Sequence, residues 1–343
     1  MSKQKKPHPP RHKAAGAKLP QLGARAGYLT GRPTAALVEG WVQGKSGRMR
    51  IAAVVGVMEE AGLIGPALAA LRRAGVGRIA VLDDGSTDGT RERVAAVAAA
   101  DPAITLAAPI WDDGPPFRLD GPVFGPLLRE SAPDWLIFTD ADEFWLAAGG
   151  RIDRTPGLDQ ADVVRVERYN ALPVDEAGLD DPATLLALNL ILDRRKLDPD
   201  RMAAMPDRPW IMGRLAPKLM IRPGRVAGFS MAAHAAEPAP GAAPLRELSP
   251  EGLLIAHLPF TDMGRFARKI ANVDRMLQAL PEAPPLGKAW HWAHWLDLAR
   301  RGELTAEFER QRLTPERQAA LRASGGLRRA GDILAGLPVP GPA

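Results

Sequence analysis

The chain has 343 residues, 46% of them hydrophobic and 25% charged, with a formal net charge of +5, the make-up of a globular protein with one large core or two modest ones. It contains no cysteine, which excludes disulfides, thiolate nucleophiles and thiolate metal sites and leaves oxygen and imidazole ligands, a set that suits Mg²⁺ or Mn²⁺ before Zn²⁺. No apolar run reaches the ~20 residues of a membrane-spanning helix, and the basic start MSKQKKPHPPRHKAAGAKLP lacks the apolar segment of a secretory signal, so a cytoplasmic location is expected.

Residues 1–30 read as a disordered basic arm, too poor in large apolar side chains to offset the entropy of ordering. The charge of residues 1–20 suits a peripheral contact with anionic lipid at the inner membrane face. No aromatic residues are interleaved to stack on bases, so no nucleic-acid partner is expected. Residues 51–57 (IAAVVGV) form an unbroken apolar run of strand length, the pattern of a strand covered on both faces. Met58, Glu59 and Glu60 follow, then a helical Ala/Leu-rich stretch, 63–74, closed by Gly75 and Gly77. A second strand at 79–82 completes a βαβ unit, whose crossover is right-handed. A helix at 91–100, for which Asp88 is the expected N-cap, a strand at 104–107 and a helix at 122–131 lead to a strand beginning at Trp135. Four alternations of β and α predict an α/β fold with a doubly wound, mostly parallel sheet.

Beyond Trp145 the pattern loosens. Residues 162–168 (DVVRVER), 218–222 (KLMIR) and 253–258 read as strands, and the Asp/Pro/Arg-rich region 175–209 as an insertion at the rim of a site. Met263, Phe266, Ile270, Val273, Met276, Leu277 and Leu280 recur at steps of three and four, the spacing of an amphipathic helix. Trp290, Trp292 and Trp295 follow, with His291 and His294 among them, and read as packing. The expected organisation is the arm, a domain over 48–262, and a C-terminal helical cap and tail over 263–343.

Two stretches carry chemistry. In 133–146, PDWLIFTDADEFWL, an apolar strand runs into Asp140, Asp142 and Glu143. Side chains two apart on a strand share a face, so Asp140 and Asp142 are expected to converge on one cation or one diphosphate. The carboxyl end of a strand is also where open α/β sheets bind ligands. The other stretch is 83–90, DDGSTDGT. Asp84, Ser86, Asp88 and Gly89 match the start of a calcium loop, but its closing Glu would be Ala95, so that reading fails. A phosphate-cradling loop fails too, because no Gly-Lys-Ser/Thr follows. What remains is a strand-turn-helix junction whose Asp carboxylates suit the imide N–H of a base or ribose hydroxyls. Gly85 and Gly89 allow close backbone approach. A capped turn that binds nothing explains that stretch alone equally well.

Taken together, DDGSTDGT resembles the first signature of the family 2 glycosyltransferases, and Asp140-Ala141-Asp142-Glu143-Phe144 resembles their DXD motif in the variant followed by Glu-Phe. The first strand with Glu59 and Glu60 resembles the strand plus Asn-Glu that opens the family, Glu59 standing where Asn is common. The resemblance covers residues 51–145 well and is looser to about 257. It implies a GT-A-type fold with a C-terminal helical extension. The implied activity is metal-dependent transfer of a sugar from a nucleotide-diphosphate donor to a glycan, lipid-linked or protein acceptor. Asp83, Asp84 and Glu60 would bind the nucleotide. Asp142 and Asp140 would hold Mn²⁺ or Mg²⁺ with His234 completing the shell, and Asp142 with Glu143 would form the catalytic centre.

Lys218, with Arg214 and Arg222 nearby, is expected to neutralise the diphosphate. His257, inside an apolar strand, reads as core. Inverting members need a carboxylate base, commonly in a Glu-Asp pair after the DXD strand; no such pair stands there, and Asp193 and Glu167 are the substitutes. Two rivals remain. A nucleotidyltransferase on a similar sheet would need a basic, Gly-rich loop after the first strand, where Met58-Glu59-Glu60-Ala61-Gly62 is acidic. The other is a catalytically degenerate module that binds nucleotide sugars or polyanions.

Overall fold

The computed structural model describes residues 49–107, 118–121, 124–194, 209–229, 233–279 and 290–336. The basic arm and its expected membrane contact lie outside the described residues. Among the described residues no helix is long and apolar enough to cross a membrane.

Strands β1 (Ile51–Val57), β2 (Val76–Asp83), β3 (Ile104–Ala107) and β4 (Trp135–Asp140) lie parallel in the order β3-β2-β1-β4. Helices Ile64–Arg73, Thr90–Ala100 and Phe124–Ser131 intervene between them in the chain. The unbroken apolar run of β1 has its reason in burial on both faces. Ile51, Ala53, Val55 and Val57 enter one core, while Ala52 and Val54 enter the other. Because the strands are parallel, their carboxyl ends share one edge. Asp83 of β2 stands opposite Val57 and Asp140 of β4 opposite Gly56, so two acidic strand ends flank the end of β1.

The second half extends this sheet. Its strands are β5 (Glu143–Ala147), β6 (Val163–Asn170), β7 (Asn189–Ile191), β8 (Lys218–Ile221), β9 (Val226–Phe229), β10 (Ala236–Pro238), β11 (Glu247–Leu248), β12 (Leu253–His257) and β13 (Leu327–Arg329). From β4 the order continues β8-β6-β12-β5, with β8 antiparallel to both neighbours, β12 parallel to β6, and β5 antiparallel to β12. The result is the mixed, mostly parallel α/β sheet that the alternation predicts. Only Ala141 and Asp142 separate β4 from β5, yet β5 pairs at the far end of the strand order. The register then sets Glu143 beside His257 and His257 beside Asn170.

The helix Met263–Ala279 begins where the Asp262 carboxylate accepts the Arg265 N–H at 2.8 Å, an N-cap arrangement. It buries Phe266 and Ile270 against Trp210, Phe260, Trp295 and Phe308, and leaves Met276 exposed. Helices Trp290–Arg301, Leu304–Arg312, Pro315–Ala323 and Ala330–Ala335 follow. Within them the chain returns as β13 to pair antiparallel with β7. The region expected to be an irregular insertion therefore contains a helix, Pro182–Ala187, and a strand; residues 195–208 lie outside the described ones.

Candidate functional site

After β1 the chain turns through Glu59, whose φ of 56° lies in the left-handed region, a conformation that costs an L-residue ~1–2 kcal/mol. Hydrogen bonds from the 83–90 turn hold it there. The Glu59 N–H donates to the Ser86 hydroxyl at 2.8 Å, and Glu59 Oε1 accepts from the N–H and hydroxyl of Thr87 at 2.7 and 2.9 Å. The Glu60 and Ala61 N–H groups donate to Thr90 Oγ1 at 2.9 Å and Asp88 Oδ2 at 3.0 Å. The two loops are thus one interlocked unit. The expected Asp88 cap is corrected: the residue before the helix is Gly89, at φ 94° with no side-chain cap. The Asp88 carboxylate is drawn instead to the Thr90 N–H and hydroxyl and across to Ala61.

Asp83 is buried; its Oδ1 accepts the Ser86 N–H at 3.1 Å. Among the described residues its Oδ2 makes no hydrogen bond, and Arg91 is the cation paired with it, at 3.6 Å. Asp84 is exposed and its backbone N–H holds the end of β1 through Val57 O at 2.9 Å.

The second acidic end is wired to cations. Glu143 is fully buried: its Oε2 accepts from the Thr139 hydroxyl at 2.9 Å and the Asp140 N–H at 3.1 Å, and its Oε1 from Arg168 at 2.7 Å. Lys218, also fully buried, lies 2.8 Å from Asp140 Oδ2 and 3.2 Å from Glu143 Oε2. It is no solvated surface lysine. Burial alone would raise the Glu143 pKa, but Lys218 and Arg168 outweigh it and hold the carboxyl below its ordinary value. Burial likewise opposes the charge of Lys218, and Asp140 and Glu143 restore it and raise its pKa. With its side chain enclosed and both oxygens engaged, Glu143 is suited to holding Lys218 and Arg168 rather than to taking a proton from substrate.

Asp142 points elsewhere. Its Oδ2 accepts from Arg265 at 3.1 Å and from Lys269. Arg265 grips both oxygens of Glu60 at 2.6 and 2.7 Å and the carbonyls of Leu258 and Pro259 at 2.8 and 2.9 Å. Glu60 thus spends its carboxylate on Arg265 of the C-terminal helix. Burial would raise the Asp142 pKa, and the surrounding cations, Lys269 foremost, drive it well below the carboxylate range. His257 Nε2 stands 3.7 Å from the same Oδ2, while its Nδ1 is 2.7 Å from Asn170 Oδ1. Asn170 donates its amide to Ile211 O at 2.8 Å, so its oxygen accepts and His257 Nδ1 carries the proton. Burial lowers the His257 pKa to about 3, leaving a neutral ring with Nε2 3.7 Å from Asp142 Oδ2.

The expected shell of Asp140, Asp142 and His234 is not gathered among the described residues. The strand ends at Asp140, so the two Asp residues do not follow strand alternation, and each meets its own cations. His234 Nδ1 sits 2.8 Å from Pro217 O beside Lys218 and Arg168, and burial lowers its pKa. Among the described residues no three His, Asp or Glu side chains gather closely enough to hold a metal; the pair that meets is Asp142 and His257. Arg222 is remote, stacked on Trp135 and donating to Ala161 O and Leu158 O. Glu167 is bridged by Arg194 and Arg214 at 2.9 and 3.3 Å, and Asp193 lies against Gly326. His291 packs on Trp210, Trp292 and Trp295, as read from the sequence.

The sequence reading missed Arg168, Arg265 and Lys269 and treated His257 as core. One signal was available for two of them: Arg265 and Lys269 are four apart and so share a helix face. What that face meets was not readable locally.

No protein-family model and no curated protein matches the chain. Solved structures do resemble it. A mannosyltransferase from Pyrobaculum calidifontis in complex with GDP-Man and Mn²⁺ is 17% identical, over 87% of this chain and 84% of that one, with a TM-score of 0.35. Glucosyl-3-phosphoglycerate synthase from Mycobacterium tuberculosis, with Mn²⁺, UDP and glucosyl-3-phosphoglycerate, is 19% identical over 57% of this chain and 64% of that one, at a TM-score of 0.28. Residues 1–349 of S. aureus TarS are 14% identical over 83% and 89%, at a TM-score of 0.33. Among the solved structures that resemble the chain, the Pyrobaculum protein is named a mannosyltransferase and WbbM a bifunctional glycosyltransferase.

Proposed function

We propose that the protein is a metal-assisted glycosyltransferase that moves a sugar from a nucleotide-diphosphate donor to a hydroxyl of a glycan, lipid-linked or protein acceptor. What supports this reading is the neighbourhood of two acidic turns on either side of β1, one with an unbonded buried carboxylate oxygen on Asp83, the other with the Asp142–His257 pair. Asp83 and Asp84 suit the hydrogen-bond donors of a base and ribose.

Asp142 and His257 form a donor set that suits Mn²⁺ or Mg²⁺. Two ligands ~2.1 Å from one ion stand roughly 3–3.5 Å apart, near the 3.7 Å between Oδ2 and Nε2. Such an ion commonly has one or two protein ligands and takes the rest from substrate phosphates, which agrees with a pair in place of a triad. Bound there, the metal would act as a Lewis acid on the departing diphosphate. The chain's own residues do the positioning. Asn170 sets the His257 tautomer, Arg265 fixes Asp142 and Glu60, and Glu143 holds Lys218 beside the half-exposed Asp140. The enzyme would work in the cytoplasm, with residues 1–20 drawing it to anionic lipid.

The test is calorimetric titration with UDP and GDP, with and without Mn²⁺, on the wild type and Asp142→Asn. Binding that requires Mn²⁺ and is lost in the variant is expected. Binding indifferent to both would remove the reading, and turnover of a UDP- and GDP-sugar panel then names the donor.

A further inference from the structure

We infer that Lys269 is an internal counter-ion that occupies the carboxylate of Asp142 until a divalent cation displaces it, and that the freed ammonium then pairs with the donor's diphosphate. The inference rests on the reading of Asp142 and His257 as metal ligands and adds a gate to it.

The geometry separates a fixed cation from a displaceable one. Arg265 is 1% exposed and spends its guanidinium on both oxygens of Glu60, two backbone carbonyls and Asp142. Moving it would orphan all of them. Lys269 stands one turn along the same helix with its side chain 23% exposed. It donates to Asp142 Oδ2 and otherwise approaches Glu60 Oε1 at 3.6 Å. A flexible four-carbon stem ending in a point charge re-aims easily, whereas a planar guanidinium in a two-pronged grip does not.

Charge makes the displacement selective. Glu60 and Asp142 balance Arg265 and Lys269 in one four-membered charge cluster. The oxygen that holds Lys269, Oδ2, is also the one that faces His257 Nε2. A divalent cation there meets the ammonium at short range, and like charges repel by several kcal/mol where solvent is scarce. The cation alone leaves the cluster two charges positive. A diphosphate removes that surplus, and Lys269, once displaced from Asp142, is the partly exposed cation that can swing to meet it. Metal and diphosphate therefore bind cooperatively, and without the diphosphate Lys269 keeps the metal affinity low.

Mn²⁺ titration of the full chain, followed by the EPR signal of the free ion, tests this. The variants are Lys269→Met, Lys269→Gln, Asp142→Asn and the control Arg268→Met, an exposed cation on the same helix; circular dichroism checks that each is folded. Without added anion, both Lys269 variants are expected to bind Mn²⁺ about tenfold more tightly than wild type, with Arg268→Met within about twofold. Inorganic pyrophosphate should tighten Mn²⁺ binding to wild type about tenfold and to the Lys269 variants less than about twofold. If the Lys269 variants bind Mn²⁺ no more tightly than wild type while Asp142→Asn loses it, the gate is wrong and the metal reading stands. Mn²⁺ binding that survives Asp142→Asn unchanged overturns both.

Discussion

Asp140 and Asp142 are two positions apart and occupy opposite electrostatic situations. Asp140 has a side chain 48% exposed and shares Lys218 with Glu143, whereas Asp142 and Glu143 are enclosed among cations. Breaking a buried pair leaves its partner charge uncompensated and costs about 3–5 kcal/mol, while a solvent-screened pair is worth about 1 or less. Glu143→Gln should therefore lower stability in urea unfolding by about 3 kcal/mol or more, and Asp140→Asn by about 1 or less. The two histidines separate in the same manner. His257→Ala should cost Mn²⁺ affinity more than about tenfold, because Nε2 faces Asp142, whereas His234→Ala should leave it within about twofold. Equal losses in both would return His234 to the metal shell. At this scale the acidic residues were legible from sequence, because an apolar strand ending in carboxylates is a local pattern. Their counter-ions were not: Arg265 and Lys269 lie 123 and 127 residues from Asp142.

The helix Met263–Ala279 carries both of those cations, so its seat decides their aim. That seat is aromatic. Trp295 meets Phe266, Phe260 and Trp210 edge-on at 5.3 to 5.5 Å between ring centres, and its indole N–H donates to Glu307 at 2.9 Å. Truncating a buried Trp costs about 3–5 kcal/mol. We expect Trp295→Ala to lower the melting temperature by more than about 5 °C and to speed amide exchange in residues 263–279 before it does so in β1. Exchange that stays unchanged in the helix would show that Arg265 and Glu60, not the aromatic cluster, anchor it. The helix itself was predictable from apolar spacing at three and four. Its partner Trp210 stands in a region with no periodicity, and neither its burial nor the return of β13 to β7 leaves a local trace.

For the molecule as a whole, partly buried imidazoles with depressed pKa values contribute to the response to acid. Burial pushes His291 from 6.5 down to about 4, and His257 from 6.5 down to about 3. Below about pH 6.5 the unfolded chain takes up protons at these positions and the folded chain does not, so stability rises with pH through this window and falls as pH drops. Between pH 7.5 and pH 5.0 each contributes a loss on the order of 2 kcal/mol. The lowered pKa values of Asp142 and Glu143 act in the same direction but at lower pH, below the ordinary carboxylate range. Thermal melts at the two pH values should show the drop, and His291→Phe should reduce it measurably. An unchanged pH dependence in that variant would mean that His291 titrates alike in both states.

By itself the sequence determined the parallel half of the sheet and the two acidic strand ends. Each rests on patterns within about ten residues: an unbroken apolar run for a strand buried on both faces, and carboxylates where that run stops. Tertiary structure alone decided what the carboxylates face. The two-residue connection Ala141-Asp142 sends β5 to pair with β12, which brings His257 beside Glu143 and delivers the 263–279 helix to Asp142. A charge placed in a low-dielectric interior is defined by its partners, and these come from strands and helices whose packing no local spacing records.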